Sequence, residues 1–136
     1  MIYTVRGEGE HLNVVISNRS AQPIYEQIKE QIRTAIIRDE IAEGEMLPSI
    51  RLLAHDLKVS VITTKRAYDE LEAEGFIATV HGKGCFVLPK NKEQIREQKL
   101  REVEHHLNSA IAGAKSIGVT PRELVELLKI LSMEEN

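Results

Sequence analysis

Few folds can accommodate residues 47–87, in which two short helical patterns meet at a tight connection and a glycine-containing hairpin follows directly. Ser49 is a suitable N-cap for a helix that ends at Leu57, because a serine hydroxyl accepts a hydrogen bond from a backbone N–H of the first turn. Ser60 is an equally suitable N-cap for a second helix that ends at Glu74. The two segments together predict a helix-turn-helix.

A β-hairpin is predicted directly after the second helix. Gly75 is typical of the residue that ends a helix, where a left-handed backbone is needed. The segments 76–80 and 85–88 are predicted strands, and residues 81–84 (HGKG) form the tip between them. A helix-turn-helix with a hairpin beside it is the arrangement of a winged-helix domain.

The helical spacing of apolar residues predicts further helices on both sides of this segment. One helix covers residues 23–38, and a short β-branched strand at 12–17 precedes it. Residues 1–11 are polar and contain glycine, and we expect them to form a loose or weakly paired arm. A long helix is predicted over 93–117, and a last helix follows Thr120, whose hydroxyl can cap it.

The long helix carries a heptad pattern that is typical of a coiled-coil seam. Its apolar positions, spaced alternately by three and four residues, are Leu100, Val103, Leu107, Ala110, Ala114 and Ile117. This face could pack within the chain, but two terminal helices alone make a thin core. Because a second copy of the chain would supply the missing surface, we favour a homodimer.

These elements predict an α/β fold that is mainly α and has three parts. Residues 1–20 form an N-terminal arm with a short strand, residues 21–89 form the winged helix-turn-helix domain, and residues 90–136 form a short two-helix dimerisation segment. A chain of 136 residues has room for one small domain with such an appendage.

The second helix of the helix-turn-helix begins with the chemistry of a DNA-reading surface. Recognition helices read bases from their N-terminal residues, which requires short polar side chains and then a cation. Hydroxyls and cations also occur at the start of the preceding helix and at the hairpin tip, where they suit phosphate. The candidate DNA-contacting residues are Ser49, Arg51, Ser60, Thr63, Thr64, Lys65, His81, Gly82 and Lys83.

Each of these residues also has an ordinary interpretation as a helix cap or a solvated cation, which is the commoner role for any one of them alone. Together they favour DNA, because four carboxylates cluster between residues 69 and 74 and should point away from phosphate. The formal net charge of −3 argues mildly against a nucleic-acid partner. A segregated basic face is therefore required, since the local field matters more than the net charge.

Five short motifs between residues 23 and 87 carry a family resemblance. They are Pro23-Ile24-Tyr25-Glu26-Gln27-Ile28, then Leu47-Pro48-Ser49 with Arg51 and Leu53-Ala54, then Val59-Ser60, then Gly75-Phe76-Ile77, and finally Gly82-Lys83-Gly84 with Phe86-Val87. Over about residues 21–89 they resemble the winged helix-turn-helix of GntR-family transcription regulators. The segment 59–68 and a C-terminal part of only two helices resemble the YtrA subfamily most closely.

The resemblance implies which residues contact operator DNA. The positions that make such contacts in family members correspond here to Arg51, Thr63, Lys65, His81 and Gly82. The chain departs from many relatives at the start of the recognition helix, where Val61 followed by Ile62 replaces an arginine. Apolar contact with a thymine methyl group can replace the lost arginine contact, so the departure concerns the operator sequence and leaves the mode of binding unchanged.

The sequence contains no motif of a catalytic or cofactor site, and we expect no enzymatic activity, no cofactor and no metal. His105 and His106 are adjacent and therefore point to different helix faces, and neither has a ligand partner at fixed spacing. Cys85 is interpreted as a small buried residue rather than a redox-sensing thiol. A single cysteine fits a reducing cytoplasm, and the apolar runs are too short to cross a membrane.

We expect the chain to bind double-stranded operator DNA as a homodimer and to repress transcription by occupying a promoter-overlapping site. The resemblance implies operators near the protein's own operon, often one that encodes a transporter. Two other functions remain open: a winged-helix module that binds another protein, and a small-molecule sensor with a pocket between the terminal helices at the dimer interface. Whether a regulator of this kind also takes a small-molecule effector is open as well.

Overall fold

The computed structural model describes residues 2–6 and 11–134, of which residues 2–6 and 11 are described by their backbone alone. The elements follow in the order β1 (Ile2–Arg6), β2 (His11–Val15), α1 (Ile24–Ile37), α2 (Ile50–Leu57), α3 (Val61–Ala73), β3 (Ile77–Val80), β4 (Gly84–Val87), α4 (Lys92–Ser116) and α5 (Pro121–Glu134). The chain divides into two compact units, Met1–Ile95 and Arg96–Asn136. The predicted mainly helical winged-helix fold is confirmed.

The core of the first unit lies among helices α1, α2 and α3 and the strands beside them. Its buried apolar side chains include Ile28, Ile32 and Ile36 of α1, Leu53 and Leu57 of α2, Ala67, Tyr68 and Leu71 of α3, and Phe76, Ile77 and Val87 next to or within the hairpin. Burying a large aliphatic or aromatic side chain stabilises a fold by about 1.5–3 kcal/mol. This core therefore holds α3 rigidly against the other two helices.

The N-terminal segment is paired with the strand that follows it, so of the two expected arrangements, a loose or a weakly paired arm, the loose one is excluded. β1 and β2 pair antiparallel over their full length, from Ile2 opposite Val15 to Arg6 opposite His11. Alternate residues of a strand point to the same side, and Leu12 and Val14 are accordingly buried in the core of the first unit. Residues 7–10 lie outside the described residues. The polar composition of residues 1–11 concealed a strand whose partner comes from the next segment.

Two glutamines of α1 attach the hairpin β1–β2 to the helices. The Gln31 side chain accepts a hydrogen bond from the Val15 backbone N–H (2.7 Å) and donates one to the Val15 carbonyl (2.7 Å). Gln27 does the same at Ser17, accepting from its N–H (2.8 Å) and donating to its carbonyl (2.9 Å). The two amides thus bond the last residue of β2 and the extended chain just after it as a neighbouring strand would, which satisfies backbone groups that an edge leaves unpaired.

The β3–β4 hairpin acquires a third extended segment from the loop before α2. The backbone N–H of Gly44 donates to the carbonyl of Val87 (2.8 Å), and that of Leu47 donates to Cys85 (2.9 Å). The loop 44–47 therefore runs antiparallel beside β4, and Met46 forms a β-bridge with Phe86 of that strand. The wing is consequently supported on one side by backbone hydrogen bonds as well as by packing.

The second unit consists of most of α4, a turn and α5. Gly118 adopts the left-handed backbone (φ +75°) that ends α4. The Thr120 hydroxyl accepts a hydrogen bond from the Glu123 backbone N–H (3.2 Å) and bonds its carboxylate (3.1 Å) at the start of α5. No residue of α5 is buried, although this helix carries many large apolar side chains.

Candidate nucleic-acid interface

Ser60 determines where α3 begins. Its hydroxyl oxygen accepts a hydrogen bond from the Thr63 backbone N–H (3.0 Å) and donates one to the Thr63 hydroxyl (2.7 Å). The N-cap therefore satisfies one of the backbone donors that a helix start leaves unpaired. The first turn of α3 carries both hydroxyls at its exposed end, where a recognition helix meets base edges.

The outward face of the first two turns of α3 is apolar at its start and cationic further on. Val61 is 47% exposed and Ile62 is 81% exposed. Lys65 and Arg66, three and four residues after Ile62, are also solvent-exposed. Residues at this spacing lie on one helix face, so these side chains form a continuous surface opposite the buried face.

Thr64 does not belong to this surface, and its assignment as a DNA-contacting residue was wrong. It is 0% exposed, and its hydroxyl donates to the Ser60 carbonyl (3.1 Å). Thr64, Ala67, Tyr68 and Leu71 form the buried stripe of α3, because residues spaced by three, four and seven lie on one side of a helix. That spacing was visible in the sequence and could have excluded Thr64.

Lys65 is paired within its own helix. Its ammonium lies 2.7 Å from the Asp69 carboxylate, one turn away, and both side chains are more than half exposed. The hydrogen bond to Asp69 raises the pKa of Lys65. An exposed pair of this kind contributes little stability, so Lys65 can exchange Asp69 for a phosphate or a guanine at small cost.

Two further carboxylates of the predicted cluster, Glu70 and Glu74, are paired with cations. Glu70 accepts a hydrogen bond from Lys29 (2.9 Å), which lowers the pKa of this carboxyl group, and a second one from Arg66 (3.2 Å). Glu74 lies 3.3 Å from the guanidinium of the buried Arg33. The carboxylates of α3 are thereby largely compensated by cations of α1 and α3.

Glu72 connects the recognition helix to the wing. Its carboxylate accepts hydrogen bonds from the backbone N–H of Thr79 (3.0 Å) and from the Thr79 hydroxyl (3.2 Å). Thr79 belongs to β3, so the hairpin is attached to α3 by this side chain. Glu72 therefore has a positioning role that its place in an acidic cluster did not indicate.

Arg66 is held by α1 as well as by its own helix. The guanidinium carbon lies 3.7 Å from the centre of the Tyr25 ring, a cation–π arrangement. Its exposed side chain was not among the candidate residues, because nothing in its local sequence distinguishes it from a solvated cation. The contact with Tyr25 involves residues 41 positions apart and became visible only in three dimensions.

The start of α2 is tied directly to α3. The Tyr68 hydroxyl donates to the Pro48 carbonyl (2.7 Å) within the core, and burial raises the pKa of this phenol. The following residue, Ser49, caps α2 by accepting from the Leu52 N–H (3.1 Å), and Arg51 is exposed on the first turn. The start of α2, which carries two candidate residues, is thus held against the middle of α3 by one buried hydrogen bond.

The tip of the wing is a tight exposed turn. The Lys83 N–H donates to the Val80 carbonyl (2.9 Å), which closes a four-residue turn. Gly82 has φ +79° at its third position, as a type II turn requires, and no atom lies within 4 Å of where a Cβ would be. His81, Gly82 and Lys83 are all exposed, so the tip offers a cation and a bare backbone to a partner.

Each of the two adjacent histidines and the cysteine, considered in the sequence as metal or redox residues, contacts another side chain. Among the residues that the structure describes, no three or more His, Cys, Asp and Glu side chains are grouped to hold a metal ion. His105 and His106 are exposed and form an edge-to-face ring pair, with centroids 5.8 Å apart. Cys85 is half-buried with its sulfur 3.3 Å from the Thr79 hydroxyl. Within the described ranges, no helix has the length and apolar character to cross a bilayer.

Comparison with known proteins gives the family. The model of bacterial regulatory proteins of the gntR family matches residues 24–87. The HTH-type transcriptional repressor YtrA of Bacillus subtilis is 34% identical over 89% of this chain and 93% of its own length. This chain belongs to the GntR family.

Solved structures support the same assignment. YtrA from Sulfolobus acidocaldarius, a GntR-family transcription factor, is 34% identical, covers 71% of this chain and 97% of its own, and superposes with a TM-score of 0.56. The AraR DNA-binding domain, solved in complex with operator ORX1, is 30% identical and covers 57% of this chain and 98% of its own, with a TM-score of 0.50. This GntR-family chain is a DNA-binding transcriptional regulator and not an enzyme.

Proposed function

We propose that this protein binds double-stranded operator DNA sequence-specifically as a homodimer. The first turn of α3 enters the major groove, and the wing tip lies against the adjoining backbone. Ser60, Thr63 and Lys65 contact the operator from α3, while Ser49 and Arg51 of α2 and His81, Gly82 and Lys83 of the wing contact it from either side. Thr64 supports the helix from within.

The observation that carries this proposal is the outward surface of α3. Its exposed start bears hydroxyls, apolar groups and Lys65, and each carboxylate between residues 69 and 74 has a hydrogen-bonding or ionic partner. A chain of net charge −3 can bind DNA only through a locally positive face. What supports such a face is the position of these carboxylates, which follow the start of α3 by one turn or more, while Lys65 and Arg66 stay exposed beside it.

The unpaired apolar surface of the second unit supports the homodimer. Leu100, Val103 and Leu107 of the seam are each more than 40% exposed. Apolar side chains of α5 are about half exposed as well; they are Val125, Leu127, Leu128, Ile130 and Leu131. Exposed apolar patches of this extent mark interaction surfaces. A second copy of the chain would cover them and would place two recognition helices on half-sites about one helical turn apart.

The cleft between α4 and α5 is where the alternative function, a small-molecule sensor, would have its pocket. A cavity of about 320 Å³ lies within the second unit and is lined by the apolar residues Leu107, Ala110, Ile111, Leu124, Val125, Leu127, Leu128 and Leu131. Ligand pockets of this size usually include a few polar groups that orient the ligand. These lining residues supply apolar side chains alone, which favours a partner helix as the occupant.

Repression by occupancy follows as the simplest mode of regulation. A dimer seated on a promoter-overlapping operator excludes polymerase without any further contact. The similarity to the Bacillus subtilis transcriptional repressor YtrA supports this sign of regulation. We further propose a cytoplasmic location and operators near the protein's own operon, with a transporter operon as the first to test.

Selection of bound fragments from random double-stranded DNA tests the proposal. We expect a two-half-site consensus to be enriched, and the consensus should be the same at two salt concentrations although the affinity falls with salt. Enrichment without any sequence preference, together with a steep salt dependence, would leave only phosphate contacts and would contradict sequence-specific binding.

A further inference from the structure

We propose that Ile62 reads the 5-methyl group of a thymine in each operator half-site and is a specificity-determining residue. The inference rests on the proposed operator binding and adds the identity of one base. It starts from an unusual placement: Ile62, at 81%, is the most exposed of the large apolar side chains among the described residues. A single exposed isoleucine is common on protein surfaces and needs no functional explanation. The position of Ile62 at the start of α3, however, suggests a contact with DNA.

Ile62 lies on the reading face of α3. Lys65 and Arg66 follow it by three and four residues and are both exposed, whereas the buried stripe of the helix begins at Thr64. The isoleucine is the second residue after the Ser60 cap, within the turn from which recognition helices contact base edges. A bound major groove would therefore meet this side chain before it met Lys65.

The chemistry of the side chain selects one base. Guanine, adenine and cytosine present hydrogen-bonding groups in the major groove, while thymine also presents a methyl group. Isoleucine has neither donor nor acceptor and would leave the polar edges of other bases unpaired. Its branched Cβ restricts χ1 in a helix, so little rotamer freedom is lost on contact.

Val61 extends the same apolar surface. It is the first residue of α3 and is 47% exposed. Two successive β-branched side chains at a helix start have poor helix propensity, and neither belongs to the buried face of α3. Contact with an apolar group on the operator would explain why two residues of poor helix propensity lie at the start of this helix.

Replacement of thymine by deoxyuridine tests the inference, because it removes the methyl group and leaves base pairing unchanged. In the selected operator, each thymine of one half-site is replaced singly, and affinity is measured by fluorescence anisotropy at fixed salt. We expect one replacement to weaken wild-type binding about fourfold, the effect of one buried methyl group. In Ile62→Ala the same replacement should change affinity less than about twofold, since the methyl group has lost its partner.

Lys65→Ala serves as the matched control on the same helix face. It should weaken binding to every duplex yet preserve the fourfold effect of the sensitive thymine. Thermal melting of Ile62→Ala should match wild type, because the replaced side chain is exposed and alanine favours helix.

Three results would overturn the inference while leaving operator binding intact: a half-site without thymine, wild-type affinity insensitive to every replacement, or a methyl effect that persists undiminished in Ile62→Ala. Failure to select any consensus would instead overturn the proposed function, and this inference with it.

Discussion

At the residue scale, the carboxylates of α3 have fixed partners, and they follow its exposed start by one turn or more. Each carboxylate between residues 69 and 74 is bonded to a cation or to the wing, and the partners come from α1, α3 and β3. Lys65 is the cation on this face whose partner, Asp69, is itself exposed. Of Lys65 and Arg66, Lys65 is therefore the cation that DNA can recruit more easily.

Replacing Lys65 by alanine should weaken operator binding by about 1–3 kcal/mol if the side chain reads a base. Lys129→Ala is the matched control, because Lys129 also forms an exposed ion pair within one helix, with Glu126 at 3.4 Å. Both variants lose one positive charge, so a general electrostatic effect would appear in both. Equal affinities of wild type and Lys65→Ala in an anisotropy titration at fixed salt would refute the role of Lys65.

The sequence predicts the roles of some residues of the candidate interface correctly and does not predict the roles of others. Ser49 and Ser60 were assigned as caps from local chemistry, and the structure confirms both hydrogen bonds. The prediction for Thr64 was wrong because its hydroxyl resembles those of Ser60 and Thr63, although its spacing to Ala67 and Leu71 puts it on the buried face. The role of Glu72 could not be predicted, since its partner Thr79 lies on a strand whose approach depends on the tertiary fold.

At the element scale, the helix boundaries and the β3–β4 hairpin followed from caps, periodicity and turn residues, whereas two other strand pairings did not. Each predicted helix lies within a few residues of its observed bounds. The antiparallel contact of the loop 44–47 with β4 was not predicted, and β1 was expected only as part of a loose or weakly paired arm. Helical and short-hairpin hydrogen bonds are local, while the loop 44–47 has its partner far along the chain, and its pairing depends on the way the core closes.

The hydrogen bond between Tyr68 and the Pro48 carbonyl should be a major link between α2 and α3. Tyr68→Phe leaves a buried carbonyl without its donor, so we expect the free energy of unfolding to fall by about 1–3 kcal/mol in urea denaturation. Tyr25→Phe is the control: it keeps the ring beneath Arg66 and should change stability by less than about 0.5 kcal/mol. A Tyr68→Phe protein as stable as wild type would show that this bond is dispensable.

Tyr68 should also make stability depend on alkaline pH. Burial raises the pKa of its phenol above the ordinary value of 10.0, so the folded protein keeps the proton to higher pH than the unfolded chain does. Its contribution is complete below that ordinary value and is lost as the pH rises beyond it. Thermal melting between about pH 9 and pH 11 should therefore decline less steeply in Tyr68→Phe than in wild type; parallel declines would argue against the buried phenol.

At the scale of the whole molecule, the chain combines a unit with a well-filled core and a unit whose apolar residues lie mostly at the surface. α5 has no buried residue, and the seam residues Leu100, Val103 and Leu107 are each more than 40% exposed. The heptad spacing indicated this surface from the sequence, because a repeat of 3.5 residues is a property of a helix pair. The spacing marks where a partner helix packs but carries no signal for which helix that is, because the contacts lie outside the chain's own sequence pattern.

Leu107→Glu should separate the dimer, because it places a charge in the middle of the seam and in the lining of the α4–α5 cleft. Asn108→Glu is the control, as it adds the same charge at the next position, outside the heptad seam. In sedimentation analysis we expect Leu107→Glu to be monomeric and Asn108→Glu to resemble wild type. A Leu107→Glu protein that still sediments as a dimer would exclude the heptad face as the interface.

The central claim is that operator DNA is read by the start of α3 together with the wing tip. Hydrogen–deuterium exchange of the full chain, with and without the selected operator, tests it most directly, since helix-start amides and turn amides exchange readily in the free protein. We expect the operator to slow exchange in peptides covering residues 60–66 and 80–84 and to leave the turn at 118–120 unchanged. Slowed exchange elsewhere, with both of these segments unaffected, would contradict the account.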